Sequence, residues 1–255
     1  MTAPLLSAKG VSKYFGGLKA VEAVDFEVFP GEILGIMGPN GAGKTVLFNL
    51  ISGLYEPTSG EINFYDRRID GLPPHLIAQR GIGRTFQIVK PFGSLTVLQN
   101  VLVARGVMRY GHLSKIWGPW GSKAEMKEAM EMLKKVGLTD FAHRKAGLLP
   151  LGKLRSLEIA RALVVGHTIL LLDESFSGLR HEEIKQLEAL IRKIRDDGRT
   201  IILIEHNMRV TMGLCDRIIV LDHGRKIAEG RPSDIQEDEG VIEAYLGRKG
   251  IRYAS

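Results

Sequence analysis

Residues 5–29 alternate apolar and polar positions on either side of Gly16-Gly17, the period-two pattern of strands that bury one face. Pro30-Gly31 marks a turn before the unbroken apolar run Ile33-Leu34-Gly35-Ile36-Met37, which reads as a buried strand fed by an N-terminal antiparallel layer. The period then changes. Leu47, Leu50, Ile51 and Leu54 recur at three- and four-residue steps, one face of a helix, with Gly53 near its expected stop. Ser122 and Glu125 stand at capping-box spacing ahead of the stripe Met126, Ala129, Met130, Leu133 and Val136, which predicts a helix within a helical lobe. Buried strands are expected at 168–172 and 200–204, separated by a helix with the stripe Ile184, Leu187, Ile191 and Ile194. Strand, helix, strand implies a parallel crossover. Residues 217–221 and 225–229 flank Asp222-His223-Gly224 and predict a hairpin. These elements add up to an α/β fold with a parallel sheet, an N-terminal antiparallel β layer and an inserted helical lobe.

Between the predicted strand and helix lies Gly38-Pro39-Asn40-Gly41-Ala42-Gly43-Lys44-Thr45, which fits G-x-x-x-x-G-K-[ST] in the context that pattern requires. Glycines let backbone N–H groups curl around a β-phosphate, and the helix N-terminus adds its positive dipole end. Lys44 then reaches the β/γ oxygens, and Thr45 is a magnesium ligand. The apolar run Ile169-Leu170-Leu171-Leu172 ends in Asp173-Glu174. Alone this is an ordinary strand-end acidic pair. Beside a phosphate loop, Asp173 reads as the second magnesium-side acid and Glu174 as the group that orients and polarises the attacking water.

Several motifs in one order resemble the ABC ATPase family over nearly the whole chain. Phe15, before Gly16-Gly17, is similar to the aromatic that stacks on adenine. Gln87 in Arg84-Thr85-Phe86-Gln87 resembles the Q-loop glutamine, and His206 in Ile204-Glu205-His206 the switch histidine. Residues 175–180 occupy the D-loop position. The resemblance implies that His206 contacts the γ-phosphate and that Gln87 links magnesium to a membrane partner. It also implies a P-loop NTPase core, ATP and Mg2+ as cofactors, and one ABC ATPase domain over 1–255, with 90–165 as helical subdomain and 231–255 as C-terminal tail.

The signature segment aligns through Ile159-Ala160-Arg161-Ala162-Leu163, which places Leu149-Pro150-Leu151-Gly152-Lys153 where the family usually has LSGGQ. Leu149 and Gly152 keep the pattern. Pro150 stands where a serine usually donates to the opposite subunit's ATP, and it has neither hydroxyl nor N–H. Arg180 stands at the usual D-loop aspartate. With Leu157-Glu158-Ile159-Ala160-Arg161, the run Gly81-Ile82-Gly83-Arg84-Thr85-Phe86-Gln87 and the ending Val241-Ile242-Glu243-Ala244-Tyr245-Leu246-Gly247, these departures resemble the ATPases of branched-chain amino-acid importers. Related importers of urea, amides or other small solutes share them. The partners so implied are a second ABC ATPase subunit, two permease subunits and an external solute-binding protein, with no nucleic acid. Alternatives are a soluble ABC ATPase acting on nucleic acid or ribosomes, and a poorly hydrolysing regulatory subunit.

Composition adds bounds. The 255 residues carry 44% hydrophobic and 25% charged side chains, ordinary for a globular chain, with no repeat and no apolar run long enough to span a bilayer. The start MTAPLLSAKG lacks a secretory pattern and the single Cys215 cannot make an intrachain disulfide, so the cytoplasm is expected, and the family resemblance implies a peripheral place at the cytoplasmic face of the inner membrane. A net charge of +6 fits either an acidic partner or a mildly basic surface. Trp117 and Trp120 read equally as an interface or as loop packing.

Overall fold

A computed structural model describes residues 3–85, 90–106 and 122–246. The chain divides into two compact units, 1–77 with 194–255, and 78–193.

In the first unit, strands β1 (Leu6–Phe15) and β2 (Leu18–Val28) pair antiparallel around Gly16-Gly17, as the alternation predicts. With β4 (Ser59–Phe64) and β5 (Arg67–Arg68) they form a four-stranded sheet ordered β2-β1-β4-β5. Leu6, Ala8, Val11, Val21, Val24, Phe26, Val28, Ile62 and Phe64 are among its buried side chains. Strand β3 (Ile33–Met37) is buried at every position and lies parallel to both of its neighbours, β8 (Thr200–Ile204) and β9 (Arg217–Asp222). A strand buried on both faces loses the alternation, which is why this segment reads as a continuous apolar run. The hairpin closes as expected: β9 pairs antiparallel with β10 (Arg225–Gly230) through His223 and Gly224, both at positive φ.

Helix α1 (Lys44–Ile51) follows β3 and buries Leu47, Phe48, Leu50 and Ile51. It stops at Ser52, so Leu54 lies beyond it and is 46% exposed, not part of its buried stripe. The short α2 spans Pro74–Gln79.

In the second unit, β6 (Ile82–Arg84) runs parallel to β7 (Ile169–Asp173). Helices α3 (Val97–Gly106), α4 (Lys123–Lys135) and α5 (Leu151–Val165) pack together. The capping box on α4 is formed: Glu125 N–H donates to Ser122 Oγ, and Ser122 N–H to the Glu125 carboxylate. Ala129, Leu133 and Val136 are buried, but Met126, one turn ahead, is 42% exposed. Periodicity predicts an apolar stripe there without showing how far its cover extends. Helix α6 (His181–Asp196) follows β7, with Leu187, Ile191 and Ile194 buried as predicted.

Arg155 and Glu158, one turn apart on α5 and both buried, form an ion pair at 3.2 Å. Burial pushes the Glu158 carboxyl up to about 7 from its ordinary 4.5, with Arg155 and then Arg161 pulling it back. The folded chain therefore keeps a proton that the unfolded chain loses near pH 4.5. The stabilisation is fully present below about pH 4.5 and is lost as the pH rises through about 7. Glu158→Gln cannot titrate. Its destabilisation relative to the wild type is expected to be smaller at pH 8 than at pH 5, by on the order of 1 to 3 kcal/mol. Urea unfolding of both proteins across that range measures the difference, and a constant gap would contradict the shift.

Candidate functional site: a phosphate loop and a strand-end carboxylate pair

The phosphate loop leaves β3 at Gly38 and enters α1 at Lys44. Gly38 and Gly43 have φ of 144° and 99°, and a Cβ would sit 2.1 Å from Leu221 O at the first and 2.4 Å from Ala20 O at the second. Both positions therefore require glycine, for conformation and for space. Gly43 is also the N-cap of α1 and offers no side chain to cap it, so the first-turn N–H groups and the positive end of the helix dipole are left for an anion. Lys44 is buried, and its Nζ donates to the carbonyls of Gly38 at 2.7 Å and Pro39 at 2.8 Å, which holds the ammonium over the loop. Asn40, Gly41 and Thr45 are exposed, whereas Ala42 is buried and its carbonyl accepts from Gly224 N–H in the β9–β10 turn. The site fits a nucleotide phosphate chain.

His206 follows β8 by two residues and is exposed, just ahead of Asn207, which caps α7 (Met208–Leu214) by accepting from Val210 N–H. Because β3 and β8 are parallel with Ile36 opposite Ile204, Gly38 and His206 leave the sheet at the same carboxyl edge. Phe15, at the end of β1, is 42% exposed and meets Tyr55 edge-on with ring centroids 5.3 Å apart, while Lys13 Nζ lies 5.3 Å from its centroid. Its orientation is held from one side, leaving an exposed aromatic surface.

In the second unit, Asp173 is the last residue of β7 and is buried. Its Oδ2 accepts from Arg84 Nη2 at 2.9 Å. Burial pulls the Arg84 guanidinium below its ordinary value, with the Asp173 carboxylate opposing. Thr85 completes the arrangement: its N–H donates to Leu171 O at 2.9 Å, and its Oγ1 accepts from Asp173 N–H at 3.3 Å and lies 3.3 Å from Ser175 Oγ. The Asp173 carboxylate is thus fixed from the neighbouring strand. Glu174 follows in the left-handed region at φ 47°, an uncommon conformation for a residue with a side chain and one that clusters at functional positions. Gly83 lets α5 approach β6 closely, since a Cβ there would sit 2.3 Å from Ala162 O.

The signature segment opens α5. Leu149 is buried, Pro150 is the N-cap, and Leu151, Gly152 and Lys153 form the first turn. As N-cap, Pro150 costs the helix no hydrogen bond, but no side chain caps the first turn. Lys153 Nζ lies 5.6 Å from the Phe141 ring centroid. A Cβ on Gly152 would meet the Glu183 carboxylate at 2.7 Å, and that carboxylate accepts from Arg180 N–H at the start of α6. Gln87, Trp117 and Trp120 lie outside the described residues. In the sequence Arg84 and Tyr245 stand out only as parts of longer runs. A charged side chain inside an otherwise apolar strand was the available sign for Arg84.

Residues 21–177 match the ABC transporter family model, and residues 225–250 match the model of the branched-chain amino acid ATP-binding cassette transporter. The chain is 43% identical over 253 residues to the high-affinity branched-chain amino acid transport ATP-binding protein LivG of Escherichia coli (strain K12), covering 97% of this chain and 99% of that one. It is 41% identical to BraF of Pseudomonas aeruginosa, a protein of the same description, over the same shares of both chains. Among solved structures, the ADP conformation of MJ1267, an ATP-binding cassette of an ABC transporter, superposes with a TM-score of 0.86 at 30% identity, covering 97% of this chain and 100% of that one. A phosphate loop in its required strand–helix setting, a fixed strand-end carboxylate and full-length similarity to known cassettes agree: the chain belongs to the ABC transporter ATP-binding family.

Proposed function

We propose that this chain is the ATP-hydrolysing subunit of an importer of branched-chain amino acids or related small solutes such as urea or amides. It works at the cytoplasmic face of the membrane with a second ATPase chain, two permease subunits and an external solute-binding protein. The observation that carries the reading is the pairing of a cassette with a C-terminal segment, 225–250, of the branched-chain type. Among the described residues no helix is long and apolar enough to cross a membrane, which accords with a need for separate permeases.

In this reading the loop N–H groups of 38–45 and Lys44 hold the β- and γ-phosphates, and Phe15 stacks on the adenine. Thr45, Asp173 and Gln87 hold magnesium, which supplies neutralisation of phosphate charge when bound. The buried, doubly anchored Asp173 fits that role. Glu174 orients the attacking water and accepts its proton, and His206 contacts the γ-phosphate. Leu149, Pro150, Leu151, Gly152 and Lys153 face the ATP held by the other ATPase chain.

The test is reconstitution in liposomes with candidate permeases, second ATPase chain and binding protein from the same genome. ATP-dependent uptake of leucine, isoleucine and valine is expected. Uptake of urea or an amide alone would move the cargo to that class. ATPase activity stimulated by DNA or ribosomes, with no permease association, would overturn the reading.

A further inference from the structure

Helix α8 (Pro232–Glu237) and α9 (Glu239–Leu246) follow β10 and pack against it and each other. Ile235 and Val241 are buried there, and Asp238 Oδ1 accepts from Val241 N–H at the start of α9. From α9, Tyr245 reaches back 207 positions to the first residue of the phosphate loop, where Gly38 N–H donates to its hydroxyl oxygen at 2.8 Å.

That contact falls where the sheet ends. The ladder of β3 pairs Ile36 with Ile204 on one side and Met37 with Val220 on the other, and Gly38 is the next residue. The tyrosine hydroxyl supplies the acceptor for the peptide that turns out of the strand. Gly38 cannot be shaped by a side chain of its own, because Leu221 O occupies the space at 2.1 Å. Its carbonyl accepts from Lys44 Nζ at 2.7 Å. One residue is therefore held by the C-terminal helix through its N–H and by the phosphate-loop lysine through its C=O. Burial raises the Tyr245 pKa, the Gly38 N–H opposing, so the phenol is neutral at physiological pH.

We propose that Tyr245 is a positioning residue for the phosphate loop: its hydroxyl fixes the peptide entering the loop, so docking of the C-terminal helix raises nucleotide affinity. By thermodynamic reciprocity, bound nucleotide holds that helix in place. The inference rests on the reading that this loop holds ATP.

Tyr245→Phe removes the hydroxyl and keeps the ring. In the full chain, ATP and ADP affinity is expected to fall about two- to ten-fold, the size of one neutral hydrogen bond. The melting temperature without nucleotide should stay within about two degrees, since the ring's packing is kept. Hydrogen exchange should speed up at the Gly38 amide, and ATP should protect α9 in the wild type more than in the variant. In the assembled transporter KM should rise with kcat nearly unchanged. Wild-type affinity in Tyr245→Phe would overturn the proposal. So would weaker binding accompanied by loss of α9 protection before nucleotide is added, because the residue would then only pack the tail. If the wild-type chain itself bound no ATP, the nucleotide reading would fail instead.

Discussion

Glu174→Gln in the assembled transporter is expected to lower ATP turnover by about 10²- to 10⁴-fold while ATP still binds. The amide keeps the size and the hydrogen-bonding reach of the carboxylate but cannot accept a proton from water. The phosphate loop belongs to a different segment and is untouched. Glu174 already sits at φ 47°, and Gln meets the same backbone cost there, so the change isolates chemistry from folding. Steady-state ATPase and equilibrium binding of a fluorescent ATP analogue should separate. Near-normal turnover would remove Glu174 from the catalytic role.

The same substitution reports on the signature segment. In the head-to-tail pairing that the family resemblance implies, Pro150 faces the partner's ATP, where a serine hydroxyl usually donates to phosphate. Loss of one hydrogen bond to a charged group is worth about ten- to a hundred-fold unless the first-turn N–H groups or Lys153 compensate. With a second ATPase chain that keeps the usual serine, the pocket built on Lys44 is then expected to be the more active of the two. Changing the catalytic glutamate in one ATPase chain at a time should make Glu174→Gln the more damaging change. Equal losses would mean that the first turn of α5 makes good the missing hydroxyl.

Lys44→Ala is expected to act on binding, weakening ATP affinity by about ten- to a hundred-fold. The ammonium is buried beside two loop carbonyls, 2.7 Å and 2.8 Å away, so it is placed before nucleotide arrives. Its removal forfeits the charge-assisted hydrogen bonds to Gly38 and Pro39, worth roughly 1.5 to 3 kcal/mol each, but also the desolvation of a buried ion, several kcal/mol. The two nearly offset, and the nucleotide-free protein should unfold within about 2 kcal/mol of the wild type. Calorimetric titration with ATP, next to urea unfolding, measures both. Unchanged affinity would rule out Lys44 as the phosphate-holding cation.

Within the chain, legibility followed distance along the backbone. Strand β3, the loop and α1 are contiguous, and each leaves its own mark: an apolar run, fixed glycines, then a change of period. The capping box at Ser122 and Glu125 was readable for the same reason, both partners lying within one turn. Pro150 departs from the usual signature in the sequence alone. Its seat at the N-cap of α5, where it costs the helix no hydrogen bond, is set by the fold.

The antiparallel start, β3 with its glycine-rich loop and α1, the capped helix α4, the succession β7, α6, β8, the β9–β10 hairpin and the presence of Asp173-Glu174 at a strand end were legible in the sequence itself, because local propensity and short-range spacing specify them. Tertiary structure decided what those groups touch. Arg84 reaches Asp173 across 89 positions and Tyr245 reaches Gly38 across 207, and no period or motif connects residues so far apart. It also decided that Met126 stands exposed on a helix whose stripe predicts it inside, and that Leu54 falls beyond its helix. Periodicity defines a face. Only packing determines what covers it, since burial depends on which distant surfaces fold against that face.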